Sequence, residues 1–170
     1  MFRLRLTRLL ILWLFSKPSK FLDTHELKLI AWPLVDVDIS RMMAHAYTRA
    51  FALGRYQVMF GSEFRRIAIK RKWFPMTIAE MSMLSKPVFM FERFSVTSQI
   101  VCWTDRRIYA EQKIVVRGEV RARCIVEGLP FSPRGKLTPA QMFDALALHI
   151  ESPPIPVDIA LWIEGRERVA

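Results

Sequence analysis

The sequence is short of cysteine, of glycine and of acidic side chains, and each shortage excludes something. Two cysteines in 170 residues do not make a disulfide-stapled scaffold. Cys102 and Cys124 stand without a C-x-x-C pair or a Cys/His cluster, so a metal site is not expected and two buried free thiols are. That usage suits a reducing, cytoplasmic setting. Six glycines exclude a collagen-like chain, and no segment repeats. The longest unbroken apolar run is the seven residues from Leu9 to Phe15, against the roughly 20 a membrane-crossing helix needs. Only 16 Asp and Glu face 26 Lys and Arg, a net charge of +10, which favours anionic partners: a nucleic acid, a membrane surface or a phosphorylated ligand. What is abundant is apolar side chain, 52% against 25% charged, enough for one domain with a real core and too much for disorder.

Residues 1–20 form a basic and apolar N-terminal segment. Arg3, Arg5 and Arg8 precede the Leu9–Phe15 run as in a signal peptide, but no small-residue cleavage site follows. Ser16-Lys17-Pro18-Ser19-Lys20 ends the run instead, so residues 1–16 read as a short helix lying at a lipid interface or docked on its own protein, with peripheral membrane contact as the consequence. A strand is expected over His25–Trp32. From Arg41 to about Phe60, Met43, Tyr47, Ala50, Gly54 and Val58 recur at helical steps, giving a long helix that is apolar over most of its girth and therefore wrapped by a sheet. Its other side is expected to carry Arg41, His45, Thr48 and Arg55.

After a basic stretch from Arg65 to Lys72, the pattern predicts a strand over Pro75–Leu84, with Met76, Ile78 and Glu80 on one face. Three more follow over Arg93–Trp103, Arg107–Val116 and Glu119–Leu129, joined by short hairpin turns. Thr138 caps and Pro139 opens a helix to about His149, and residues 152–170 form a Pro-rich extension. The order predicts an α+β domain over residues 21–151, with a curved antiparallel sheet of about five strands wrapped on one long central helix. Such a sheet leaves an edge strand, which a second copy can cover by continuing it.

Asp36 and Asp38 lie where the first strand gives way to the apolar helix. Free backbone N–H groups at a helix start polarise a carbonyl oxygen, and a carboxylate beside them serves as base or nucleophile, the pair of functions acyl transfer needs. The plainer reading is that Asp38 or Ser40 caps the helix.

Trp32-Pro33, Asp36-Val37-Asp38-Ile39, Tyr47, Gly54-Arg55, Pro75, Phe91 to Phe94, the Trp103–Glu111 block and Gly128 together resemble the hotdog-fold acyl-CoA thioesterases. The likeness is nearest to their hydroxybenzoyl-CoA thioesterase-like branch and the membrane-associated thioesterase superfamily members. The resemblance implies the hotdog fold, dimers or dimers of dimers, and hydrolysis of acyl-CoA or acyl-carrier thioesters at a subunit interface without metal or other cofactor. It puts the family's D-x-D motif on Asp36 and Asp38, with Asp38 the catalytic carboxylate. The family's Asn and His-Met-Asn-Asn are replaced here by Ser40-Arg41-Met42-Met43-Ala44, which leaves Arg41, His45 and Tyr47 as the candidate substrate contacts. On the residues alone, Tyr47 reads as core packing, the Trp103–Glu111 block as a structural hairpin, and the Arg65–Lys72 cations as either a solvated loop or a seat for CoA phosphates.

Two functions stay open at this point. One is aspartate-assisted thioester hydrolysis, and the other is a catalytically weakened hotdog domain that binds acyl-CoA or a fatty acyl ligand at a membrane. A nucleic-acid module has no motif to support it, because Trp73 and Phe74 do not interleave with the cations.

Overall fold

Alternating apolar and polar side chains build one antiparallel sheet. In the computed structural model, which describes residues 2–133 and 135–168, β1 (His25–Ile30), β2 (Phe74–Leu84), β3 (Arg93–Trp103), β4 (Ile108–Val116) and β5 (Glu119–Ser132) stand in the order β1-β3-β4-β5-β2. A two-residue β6 (Gly135–Lys136) extends the end of β5. The expected fold is therefore observed: five strands, β1 short and the other four long, curl around one helix, α2 (Ala44–Phe60).

Phe94, Val96 and Ile100 of β3 point inward with Ile114 of β4 and Ala122, Cys124 and Val126 of β5. Bulges re-aim the rest. A register shift between Ile100 and Cys102 turns Cys102 to the outer face and Trp103 inward. Another between Thr77 and Ala79 breaks the strict alternation expected in β2, so Thr77 joins Met76 on the inner side while Ile78 is exposed.

Gly54 sets how closely α2 sits on the sheet. A Cβ there would lie 2.6 Å from Ser98 Oγ, 2.7 Å from Gln112 Nε2 and 2.8 Å from Val96 Cγ1. No other residue type fits without moving the helix.

Four elements differ from expectation. α2 starts at Ala44, because residues 37–42 are held as extended bridges, Val37 to Met42 and Arg41 to Phe89. Its N-cap is Met43, whose side chain caps nothing, so neither Asp38 nor Ser40 is the cap. The basic stretch after it is a helix, α3 (Phe64–Arg71), closed by Lys72 at φ 54°. The capping box of Thr138 and Gln141 opens α4 as expected, but α4 (Pro139–Ala145) is short, and Ala147 at φ 55° follows it. The Pro-rich extension leads into α5 (Val157–Glu167), which covers the outer face of the sheet. There Ile159 packs with Cys102, Tyr109 and Ile125. Glu127, 1% exposed, pairs with Arg107 at 2.8 Å and with Arg166. Burial pushes both cysteine thiols up to about 11, so they are inert packing groups.

The N-terminal segment is a helix, α1 (Phe2–Phe15), docked along α2. Leu6 and Leu9 pack on the core, and Trp13, 5% exposed, donates its indole N–H to Gln57. Ile11, Leu12 and Phe15 stay exposed. Among the described residues no helix is long and apolar enough to cross a membrane.

Candidate active site

The loop before α2 is organised around Asp36. Its carboxylate takes a two-pronged bond from Arg5 of α1, Nη1 to Oδ1 at 3.0 Å and Nη2 to Oδ2 at 2.7 Å. The backbone N–H of Trp32 donates to the same Oδ2 at 3.0 Å. The carbonyl of Asp36 accepts from Met43 N–H at 2.8 Å. Expected as one of two reacting acids, Asp36 is 3% exposed with both oxygens engaged. The structure gives it a different place: it is the buried anchor of the loop and the partner of a helix that the helix-start motif did not hint at.

Asp38 is the opposite. It lies on the solvent side of the loop, its N–H bonds Arg41 carbonyl at 3.2 Å, and its carboxylate meets no partner among the described residues. Arg41 and His45 are exposed. Arg41 precedes α2 instead of opening it, so the two do not share a helix face as expected. Tyr47, 4% exposed, accepts from Val88 N–H at 2.9 Å. Burial raises its phenol above the usual tyrosine range despite that bond, and its hydroxyl ties the loop after β2 to the core. Among the described residues the N–H groups of Ala44 and His45, the first two of α2, find no hydrogen-bond acceptor, because helical bonding starts at Ala46, whose N–H reaches Met43 carbonyl at 2.9 Å. Two free donors thus stand at the helix start.

The other half lies toward the far end of α2, roughly 20 Å along the helix at about 1.5 Å per residue. Here a cavity of about 100 Å³ opens between α2 and the sheet, walled by Val58, Met59, Met76, Ile100, Leu129 and Met142 among others. Its lining is mostly apolar, with Thr77 on the β2 side and a polar end where Arg55, Ser98 and Gln112 meet. Arg55 donates to Gln112 Oε1 at 3.0 Å and to Glu80 Oε2 at 3.1 Å, and Gln112 Nε2 donates to Ser98 Oγ at 2.8 Å and to Phe51 carbonyl at 2.9 Å. This network is fully satisfied, so it fixes the polar floor of the slot without an orphaned charge. Arg55 was expected on the outer side of α2 and turns inward because Glu80 and Gln112 receive it. Sequence reasoning missed the pair Ser98 and Gln112. The signal was present: the two polar residues sit directly opposite each other on adjacent apolar strands.

No group of three His, Cys, Asp or Glu among the described residues is placed to hold a metal ion. Within one copy the acid and the cavity do not meet, since none of Asp36, Asp38, Arg41, His45 and Tyr47 lines the cavity.

A family model for the thioesterase-like superfamily matches residues 33–163. The chain belongs to the thioesterase-like superfamily. Thioester hydrolysis is accordingly the chemistry against which the site is read. The model's span takes in the D-x-D loop, α2, the long strands after it and most of α5, and it leaves α1 outside. Among solved structures, this thioesterase-like chain is similar to YbaW, a probable thioesterase from Escherichia coli, at 12% identity over 72% of this chain and 96% of that one, TM-score 0.64. It is similar to a 1,4-dihydroxy-2-naphthoyl-CoA thioesterase from Synechocystis at 12% identity, 72% and 94% coverage, TM-score 0.59. A Staphylococcus aureus protein solved in complex with CoA matches at 12% identity, 83% and 92% coverage, TM-score 0.60. At such identities these likenesses speak to the hotdog fold. Among curated proteins none matches.

Proposed function

We propose that this chain hydrolyses acyl-CoA thioesters at a site completed by two copies, with Asp38 of one copy facing the cavity of the other. The observation that carries the reading is the open edge of the sheet. β2 ends the strand order and exposes Phe74, Ile78, Met83 and Leu84, whereas the opposite edge, β1, is short and shows Glu26 and Lys28 to solvent. Exposed charge marks one edge, whereas exposed apolar side chains mark the other. When two β2 strands pair antiparallel about a two-fold axis, the start of each lies beside the end of its mate. The start of β2, Pro75 to Thr77, borders the cavity. The end of β2 leads to Val88, whose carbonyl accepts from Met42 N–H at 2.8 Å, next to the Asp38 loop. Antiparallel pairing therefore carries each Asp38 toward its mate's cavity.

The chemistry follows from these groups. The acyl chain lies in the cavity, and the thioester carbonyl oxygen takes hydrogen bonds from the free N–H groups of Ala44 and His45. Asp38 accepts a proton from water as the water oxygen adds to the carbonyl carbon. Collapse expels the CoA sulfur, which leaves as thiol once that proton returns to it. Exposed Ile11, Leu12 and Phe15 on α1, flanked by Arg3 and Arg8, suit contact with an anionic lipid surface, where long acyl-CoAs partition. A second reading, an acyl-CoA binder without turnover, is favoured by Asp38 having no side-chain partner among the described residues to orient it.

Release of free thiol from medium and long acyl-CoAs separates the two. Hydrolysis expects turnover that falls at least about 100-fold in Asp38→Asn, with unchanged thermal stability and a dimeric mass in solution. Saturable acyl-CoA binding without thiol release supports the binder, and full activity in Asp38→Asn ends the aspartate assignment.

A further inference from the structure

The positive charge of this protein is not spread evenly, and one concentration of it has no structural employment. Lys70, Arg71 and Lys72 close α3, and Lys136 comes from the separate β5–β6 hairpin. The four line a groove of about 640 Å³ floored by Trp73 and Leu137. All four are exposed. Among the described residues none has an ion-pair or hydrogen-bond partner for its side chain, and Arg71 lies over the Trp73 ring at 5.0 Å. Other cations are paired, among them Arg5, Arg55, Lys86, Arg107 and Arg123, and four unpaired ones converge from two elements on this groove. The helix dipole accounts for Lys70 and Arg71 in the last turn of α3. It does not account for Lys72 beyond that turn, nor for Lys136 on another element. Like charges brought together from two elements repel, and a bound polyanion relieves that cost. The lone carboxylate nearby, Asp144, lies at the extension of the groove beyond Gln141.

The groove adjoins the acyl cavity. Trp73 packs on Phe64, a cavity wall, with ring centres 5.9 Å apart. Leu137 N–H bonds the carbonyl of Pro130, another wall residue, at 3.0 Å. Phe74 and Phe131, paired across β2 and β5, follow Trp73 and Pro130 in the chain and are exposed. We infer that this groove seats the phosphates of the CoA nucleotide, so that Lys70, Arg71, Lys72 and Lys136 hold the anionic head while the acyl chain fills the cavity. The inference rests on the acyl-CoA reading above and names the part of the substrate that reading left unplaced.

The test uses the full chain and the double charge reversal Lys72→Glu/Lys136→Glu, both at exposed positions. Kinetics are compared for an acyl-CoA and for the N-acetylcysteamine thioester of the same acid, which lacks the nucleotide. The expected result is a KM for acyl-CoA raised about tenfold or more, with kcat within about twofold and the cysteamine thioester unaffected. Lys28→Glu/Arg93→Glu, with the same change in net charge at exposed positions on the opposite edge of the sheet, is expected to leave that KM in place. An unchanged KM in Lys72→Glu/Lys136→Glu overturns the groove assignment while hydrolysis stands. So does a rise confined to acyl-carrier protein, which would mark an acidic protein as the occupant. Calorimetric titration with 3′-phosphoadenosine diphosphate needs no turnover. Binding to the parent chain that is lost in the reversal supports the groove even if hydrolysis fails, and equal binding to both contradicts it.

Discussion

The two ends of α2 solve opposite problems. At its start a carboxylate is buried, and the fold brings a dedicated arginine from α1 and a backbone N–H to neutralise it. At its far end an apolar slot is left open, and the Arg55, Ser98 and Gln112 side chains at its polar end are joined in one hydrogen-bonded network. A buried charge that is fully partnered is structural, whereas an exposed carboxylate near free amides and an unfilled greasy slot are incomplete. On the proposed reading neither end of one copy is a complete site, and Asp38, the half of the D-x-D pair that the fold leaves exposed, is the acid free to react.

The comparison breaks most severely at Asp38. Asp38→Asn lowers the rate at least about 100-fold and shifts stability by under about 0.5 kcal/mol, checked by thiol release beside a urea melt. Asp36→Asn does the reverse, costing about 3 kcal/mol because a partly buried Arg5 loses its carboxylate. The double variant Arg5→Met/Asp36→Asn loses less than the sum of the single changes, as a double-mutant cycle reads. At the cavity end, Gly54→Ala costs about 1–3 kcal/mol by pushing α2 off Val96, Ser98 and Gln112, measured by the same melt. Smaller still is a pH effect at His25. The ring is 3% exposed, with Nε2 3.3 Å from Phe21 carbonyl and Nδ1 3.2 Å from Ser19 Oγ. Burial outweighs these contacts and holds its pKa below 6.5. The unfolded chain therefore binds this proton more readily than the folded one. Stability is full above pH 6.5 and declines as pH falls below it toward the folded value, a slope that His25→Gln flattens in melts taken from pH 7.5 to 5.5.

Much of the architecture was legible because periodicity reports which face is buried. The hairpin run of β3, β4 and β5, the apolar girth of α2 and the Thr138 cap all follow from local pattern. The helix start at Ala44 was not legible, because the bridges of Val37 to Met42 and Arg41 to Phe89 are tertiary and overrule helical propensity at Arg41 to Met43. α3 and α5 were hidden for different reasons: the cations of Arg65–Lys72 drew the reading toward a loop although Phe64 and Ala68 share a buried face four residues apart, and α5 follows a Pro-led segment and carries little amphipathic signal of its own. In the site, the pairing of two Asp residues could be read, but not which of them is spent on structure. That depends on Arg5, thirty-one residues away in sequence, and one residue's charge does not announce its partner. The cavity was invisible, since its walls are ordinary apolar residues and only their spacing in three dimensions leaves a gap.

The central claim, that Asp38 serves the cavity of a second copy, is tested most directly by mixing two crippled variants. Asp38→Asn removes the acid, and Val58→Phe fills the slot. Refolded together in equal amounts they are expected to recover about one quarter of the parent rate, since half the dimers are hybrids and each hybrid holds one intact site. A mixture no more active than its separate components, although both variants fold and pair, would contradict the shared site.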